Sequence, residues 1–350
     1  MRVLVTGGCG FIGSNFVRYV LRDRAEWSVT NLDKLTYAGN LANLADIADG
    51  PRYRFVRADV SDAKAVAEAM QGCDAVVSFA GETHVDRSLM DAGSFIMTNV
   101  YGVRVLLEAA RDRGIARYLH ISTDEVYGSI EQGAFREDDR LTPSSPYSAS
   151  KAGGDLLAQS YYTSHGTPVI VARPSNTYGP YQYPEKLLPL FITNAIDDQP
   201  LPMYGDGMQV RDWLFVEDHC RALVLLLEQG EPGTVYNIGA GNDRPNIEVI
   251  KLMLAQLGKP EGLIRHVADR PGHDRRYAVD TARIRALGFE PRYSIETGFA
   301  ATMDWYAAHR AWWEPIKSGE FRRYYERQYG ERLRDADGGH APGRQPSHEA

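Results

Sequence analysis

Short β-branched runs alternate with helix-patterned stretches through the first half of this chain, and that alternation restricts the fold more than any other feature. Arg2 to Thr6, Ser28 to Leu32, Tyr53 to Asp59, Ala75 to Ala80, Tyr118 to Ser122 and Pro168 to Ala172 read as six strands. Between them, Ser14 to Asp23, Ala63 to Gly72 and Phe95 to Arg113 read as helices. The last carries Phe95, Ile96, Val100, Val103, Leu106, Leu107 and Ala110 at helical spacing, with Gly114 placed to stop it. Strands joined by helices cannot be antiparallel neighbours in hairpins. The pattern predicts an α/β fold with a parallel sheet covered on both faces.

At 350 residues the chain is long enough for about two domains. The alternation loosens after about residue 180. Pro180, Pro184, Pro189, Pro200 and Pro202 bar a single long helix from Gly179 to Arg211. Strand and helix pieces near Val235 to Ile238 and Ile247 to Leu257 suggest a smaller C-terminal lobe. The expected division is 1–180, with a possible later strand returning near 210–240, then 181–320. A tail from about 331, rich in Asp, Gly, His, Pro and Ser, is expected to be disordered.

Thirty-nine Lys and Arg against 46 Asp and Glu leave a net charge of −7, which speaks against a nucleic-acid partner. Cys9, Cys73 and Cys220 have neither disulfide nor zinc-site spacing and suit a reducing cytoplasm; no metal is expected. The opening strand leaves no room for a signal peptide, and no apolar stretch approaches the length of a membrane span.

Gly7, Gly10 and Gly13 separate the first strand from the first helix. Glycine there lets the chain turn sharply and brings backbone N–H groups close to a pyrophosphate at the helix N-terminus, with Phe11 and Ile12 in the first turn. Asp33 follows at the end of the second strand, where a carboxylate accepts from an adenosine ribose and repels a 2′-phosphate. NAD is therefore favoured over NADP, although Lys34 is adjacent. Asp59-Val60 can reach an adenine, or Asp59 can cap the helix that starts near Ala63. These features together describe a Rossmann-type doubly wound sheet.

Tyr147 and Lys151 stand at i and i+4, on one helical face. A nearby ammonium and a bound nicotinamide cation both favour the phenolate. Upstream, Thr123, Asp124 and Glu125 end the fifth strand at the ligand-binding edge of the sheet. In an extended strand the two carboxylates would point to opposite faces. They can serve one ligand only if the chain is already turning at Asp124.

The glycine motif, Asp33-Lys34-Leu35-Thr36-Tyr37-Ala38-Gly39-Asn40, the Thr123–Gly128 run and Tyr147/Lys151 together resemble the extended short-chain dehydrogenase/reductases, in their nucleotide-sugar dehydratase branch. The likeness continues through Glu82–Ser88, Gly179–Lys186, Arg211-Asp212-Trp213 and Asp269–Tyr277, covering roughly residues 1–310. It implies NAD-dependent 4,6-dehydration of a dTDP- or UDP-linked glucose, with NAD kept bound and regenerated at each turnover. On this pattern Tyr147 is the base at O4, supported by Lys151. Glu125 takes the C5 proton, Asp124 protonates the leaving C6 hydroxyl, and Thr123 holds the sugar. Cofactor contacts carry over to Leu35, Thr36, Ala80, Gly81, Thr83, Thr98 and Thr177 besides the residues already named. Substrate contacts fall on Thr83, Asn176, Lys186, Leu187, Pro202, Tyr204, Arg211, Asn246, Arg270 and His273. The resemblance further implies a homodimer built as a four-helix bundle from Phe95–Arg113 and the helix starting near Ser145.

Two places depart from the family pattern. Ala80-Gly81-Glu82-Thr83-His84 stands where Ala-Ala-Glu-Ser-His is usual, and Asn176-Thr177 where Asn-Asn is usual. Related epimerases and decarboxylases share the glycines and the Tyr/Lys pair but need no acid to expel a C6 hydroxyl. A cofactor-binding regulatory protein is the non-enzymatic alternative, and the intact Thr123/Asp124/Glu125/Tyr147/Lys151 set argues against it.

Overall fold

The computed structural model describes residues 1–270 and 272–337. The chain divides into two compact units. One comprises Met1–Tyr183, Arg211–Asp243 and Asp274–Thr302; the other comprises Pro184–Val210, Arg244–His273 and the chain from Met303.

In the first unit the strands are β1 (Arg2–Thr6), β2 (Ser28–Asp33), β3 (Tyr53–Arg57), β4 (Ala75–Ser78), β5 (Arg117–Ile121) and β6 (Val169–Pro174). The helices between them are α1 (Phe11–Asp23), α2 (Ala63–Ala69), α3 (Val85–Met90), α4 (Ala92–Ile96), α5 (Val103–Arg113) and α6 (Pro146–His165). Strands β7 (Asn176–Tyr178), β8 (Leu201–Tyr204), β9 (Val210–Phe215), β10 (Val235–Ile238), β11 (Asp243–Pro245) and β12 (Ile264–Val267) follow. With them come α7 (Leu187–Ile196), α8 (Val216–Gln229), α9 (Asn246–Leu257), α10 (Ala282–Arg285), α11 (Ile295–Ala308), α12 (Arg310–Ile316) and α13 (Gly319–Asp337).

Seven strands form the central sheet in the order β10-β6-β5-β4-β1-β2-β3, every pair parallel. Side chains of successive strand residues point to opposite faces, so Val3 and Val5 join a core with Phe16, Val20 and Leu223, on α1 and α8. Leu4 joins a second core with Leu106, Leu107 and Tyr161, on α5 and α6. The sheet is thus buried on both sides, as the continuous apolar strands require. Its strand order reverses between β1 and β4, and the crevice outside the carboxyl ends of those two strands is where such folds bind ligands.

The strand expected to return within 210–240 is β10, which must lie beside β6 to extend the parallel sheet. A second domain running continuously over 181–320 is therefore not what forms, because residues 211–243 and 274–302 fold with the first unit. The helix expected over Phe95–Arg113 is interrupted by a π-helical turn, Met97–Gly102, before α5 ends on Gly114 in the left-handed conformation. Residues 331–337, assigned to the tail by composition, are the last turns of α13. Phe321, Tyr324 and Tyr329 bury one face of that helix, and the charges that suggested a tail lie on its other faces. The remainder of the expected tail, 338–350, lies outside the described residues.

In the second unit β8 and β12 pair in parallel, and α7 packs on α9 and α13 on β12. Among the described residues no helix is long and apolar enough to cross a membrane.

Candidate active site

The loop after β1 has no room for a side chain at Gly7 or Gly13. Gly7 leaves the strand at φ +73°, and a Cβ there would stand 2.7 Å from the Ala80 nitrogen on the loop after β4. A Cβ on Gly13 would meet the Gly7 carbonyl oxygen at 2.3 Å. Gly10, whose N–H donates to Gly7 O, caps α1 without a side-chain bond, and no acidic residue occupies the first turn, where Phe11 and Ile12 lie. Backbone donors at the positive end of the helix dipole therefore face the reversal of the sheet. Gly8 and Asn31, absent from the expected set, help shape this loop: Gly8 N donates to Asn31 Oδ1 at 3.0 Å.

Asp33 accepts from Cys9 N at 2.9 Å and Leu35 N at 2.8 Å, tying the end of β2 to the glycine loop. Burial raises its pKa against the pull of these two donors. Each carboxylate oxygen keeps a second lone pair for a ribose hydroxyl. Thr36 accepts from Gly39 N, closing the turn that follows. Asp59 is not the helix cap: Asp62 caps α2, accepting from Lys64 N and Ala65 N. Asp59 instead pairs with Lys34 at 2.6 Å, so the cation nearest the ribose position is already matched by an acid. Val60 is buried, and a Cβ on Gly102 of the π turn would press on its Cγ2.

The loop after β4 is held by Asn99, which the sequence reading missed. Its Oδ1 accepts from Glu82 N, and its Nδ2 donates to Glu82 O and to Ser150 Oγ on α6. This gives the Gly81 departure a physical reading, since a Cβ at 81 would lie 3.0 Å from Asn99 Oδ1. Ala80 N donates to Thr6 Oγ1, Thr83 is exposed, and Thr98 is half-buried on the π turn. At the other departure, the Thr177 hydroxyl is engaged with Ser175 O and His219 Nδ1. Burial drives His219 down to about 3, leaving a neutral ring.

The condition set for the two carboxylates is met. A 3₁₀ turn starts at Asp124 and runs to Tyr127, with the Thr123 hydroxyl accepting from Glu125 N as its cap. Gly128 closes it at φ +82°, where a Cβ would strike Thr142 O at 2.4 Å. Asp124 is 4% exposed, and its Oδ2 has no hydrogen-bond partner among the described residues. Burial, then the Glu125 charge, lift its pKa well above the usual carboxylate range, while Arg211 opposes them. Adjacent carboxylates thus occupy one turn, and burial favours the protonated form of Asp124.

Tyr147 and Lys151 lie on the first turns of α6, which Ser145 and Ser148 cap reciprocally with Pro146 at the first position. Burial and Glu125 raise the Tyr147 phenol well above 10, against a hydrogen bond from the Thr123 side chain that lowers it. Lys151 donates to the Ile121 carbonyl at 2.5 Å, and burial brings its pKa down to about 8. The Lys151 ammonium is thus bound to the backbone carbonyl that ends β5.

Beneath this turn lies a buried polar network. Asp155, one turn after Lys151, holds Arg173 of β6 through bonds of 2.8 and 3.0 Å. Arg173 donates to the Tyr127 hydroxyl, and that hydroxyl donates to Asn237 on β10. Arg211 is not on the surface. It is 5% exposed, stacks 4.0 Å from the centre of the Tyr277 ring and donates to Asp274 O. Tyr277 is buried, and its pKa is raised by burial and then by Glu125. Asn176 in the same unit has a buried Oδ1 without a partner.

The other expected substrate contacts fall in the second unit. Lys186 caps α7 and Leu187 begins it, while Pro202 and Tyr204 lie on β8. Asn246 begins α9, and its Oδ1 is buried without a partner. Asp269, which sequence reasoning did not single out, accepts from Gln209 Nε2 and Arg270 N and pairs with His273 Nδ1 at 2.7 Å. A carboxylate oxygen only accepts, so Nδ1 carries the proton in that bond. Among the described residues no group of His, Cys, Asp or Glu is placed to hold a metal ion.

A glycine loop at the reversal of a parallel sheet, with Tyr147 and Lys151 on α6 beside the Asp124 turn, is the arrangement of an extended short-chain dehydrogenase/reductase. A family model described as GDP-mannose 4,6 dehydratase matches residues 4–302. The dTDP-glucose 4,6-dehydratase of Streptomyces niveus is 54% identical over 91% of this chain and 96% of its own length. The crystal structure of the Streptomyces venezuelae enzyme of the same name, DesIV, with NAD and TYD bound, superposes with a TM-score of 0.88. It is 50% identical, over 91% of this chain and all of that one. The UDP-glucuronic acid 4-epimerase of Bacillus cereus, in complex with UDP-glucuronic acid and NAD, reaches 0.83 at 28% identity, over 88% of this chain and 99% of that one. The chain belongs to the dTDP-glucose 4,6-dehydratase family.

Proposed function

We propose that this chain is an NAD-dependent hydro-lyase that converts dTDP-glucose to dTDP-4-keto-6-deoxyglucose. The observation that carries the reading is the Thr123-capped turn, which puts the buried Asp124 carboxyl beside Glu125. An epimerase on the same fold has no task for such an acid.

The residues present fit a dinucleotide. Gly7 and Gly13 form a cradle that any Cβ would fill, and Asp33 stands at the ribose position with Lys34 matched by Asp59. Contacts are assigned to Gly7, Gly10–Gly13, Asp33–Thr36, Asp59-Val60, Ala80-Gly81, Thr83, Thr98, Tyr147, Lys151 and Thr177. NAD, when bound, supplies a reversible two-electron acceptor that leaves the overall reaction redox-neutral.

The chain's own groups do the proton work. Tyr147 receives the O4 proton, with Thr123 oriented on its hydroxyl. Burial favours the neutral phenol, and a cationic ring bound beside it would favour the phenolate. Oxidation at C4 makes the C5 proton acidic, and Glu125 removes it. Asp124 delivers its proton to the departing C6 hydroxyl, the role its burial prepares. By their chemistry Arg211, Lys186, Arg270 and His273 are assigned to the diphosphate, Asn176 and Asn246 to it as amides, and Pro202 and Tyr204 to the base.

The test is incubation with dTDP-glucose, and separately with UDP-glucose, without added NAD. Loss of one water from dTDP-glucose, detected by mass spectrometry, is the expected result. Formation of only the C4 epimer would overturn the dehydratase reading, and preference for UDP-glucose would reassign the nucleotide.

A homodimer is part of the proposal. Leu89, Met90, Ile96 and Met97 on α3, α4 and the π turn, and Leu156 on α6, are large apolar side chains each about half exposed, and a partner's helices would cover them. Replacing Met97 and Leu156 together by Glu is expected to give monomers by size exclusion with light scattering. A monomeric parent protein would refute the idea. Cys9, Cys73 and Cys220 are unpaired, which suits a cytoplasmic location.

A further inference from the structure

Tyr204 ends β8, and within the second unit its ring is enclosed from two directions. His273 stands edge-on at 6.1 Å and the Arg270 guanidinium at 6.0 Å, both from the loop after β12. From α13, Tyr329 lies 5.8 Å away and the Arg332 guanidinium 5.2 Å away. Gln328, also on α13, donates its Nε2–H to the Tyr204 hydroxyl at 2.7 Å. Arg332 Nη1 is buried and has no hydrogen-bond partner among the described residues.

A guanidinium nitrogen withdrawn from water needs an acceptor. No described residue supplies one, and a ligand that lies against this wall would. The surroundings select its kind: aromatic and guanidinium planes suit a flat ring bearing carbonyl oxygens. We propose that α13 forms the outer wall of the nucleoside end of the substrate site. Gln328 fixes the Tyr204 ring, and Arg332 donates to a carbonyl oxygen of the pyrimidine base. The inference rests on the reading above, in which Pro202 and Tyr204 face the base of a nucleoside diphosphate. It adds a helix that lies beyond the residues 4–302 matched by the family model.

Calorimetric titration of the full-length, NAD-loaded protein with dTDP decides the matter independently of turnover. Arg332→Gln is expected to weaken dTDP binding roughly ten- to hundred-fold, the usual weight of a hydrogen bond to a charged group. The KM for dTDP-glucose should rise in step, with kcat falling far less. Gln328→Leu should weaken binding in the same direction by releasing Tyr204. Arg327→Gln removes an equal charge from an exposed position of the same helix and is expected to change affinity by less than about two-fold.

Unchanged dTDP affinity in Arg332→Gln, or an equal loss in Arg327→Gln, would overturn the inference. Retained NAD content and melting temperature in each variant separate a lost contact from a lost helix. A parent protein that binds dTDP but does not dehydrate dTDP-glucose would instead overturn the functional reading, while the titrations would still decide the role of α13.

Discussion

Glu125→Gln abolishes most dehydration while leaving chemistry at C4 intact: the expected result is a fall in product formation of about 10²- to 10⁴-fold, the range for removing a general base. Isotope placed at C4 should still pass to the bound cofactor, because Tyr147 and Lys151 are untouched. Asp124→Asn should lose a similar factor, since an amide can donate a hydrogen bond but cannot release a proton. Unimpaired product formation by either variant would remove that residue from its role.

Asp124→Asn carries a second expected result with the opposite sign. The folded-state pKa of Asp124 is raised by burial and by Glu125. Its contribution to stability is therefore full below the unfolded pKa of about 4 and is lost as pH rises through the folded value. At neutral pH the parent protein bears that cost and the asparagine variant does not. Urea unfolding should show the inactive variant to be the more stable at pH 7, with the gain vanishing near pH 3. A variant less stable at pH 7 would mean that this carboxyl is not held protonated at a cost to folding.

The largest stability effect is expected beneath the site. Asp155 and Arg173 have side chains 0% and 3% exposed and meet through two hydrogen bonds. Asp155→Ala leaves a guanidinium buried without its carboxylate, a change that typically costs about 3–5 kcal/mol. Burial works to raise the Asp155 pKa, and the guanidinium more than reverses it. The pair's contribution is therefore present above the unfolded carboxylate pKa and is lost as pH falls through the lowered folded value. The double variant Asp155→Leu, Arg173→Met should recover much of the stability without recovering activity, because Arg173 also holds the Tyr127 hydroxyl at the end of the carboxylate turn. Denaturant midpoints and turnover of the two variants check both statements.

What could be read from sequence was what local pattern controls. The glycine loop and Asp33 sit on adjacent parallel strands, and each announces itself by residue type and spacing. Gly114 and the Ser145 cap likewise mark helix ends where they occur. The turn at Asp124 was only half legible: Thr123 and Gly128 are cap residues by type, but the turn depends on Gly128 lying against Thr142. Asp155 and Arg173 gave no signal, because charged residues on a helix and a strand read as surface until the sheet brings them together. Asn99 was hidden by its place in an apolar helix pattern, and there the π turn breaks the spacing on which the pattern relied. Residues 331–337 failed for the opposite reason. Composition averages over all faces of a helix, and α13 is fixed by one face, through Tyr324, Tyr329 and Arg332.

The chain passes between its two units five times, so the second unit is inherited in three separate cassettes. A single crossover near residue 180 between two relatives would carry β10, the last strand of the central sheet, in from the wrong parent together with the cassettes that hold Tyr204 and Arg270. Recombination at one point therefore cannot exchange the second unit cleanly. Divergence in what that unit recognises has to proceed by point substitution, or by replacement of 184–210, 244–273 and the chain from 303 together.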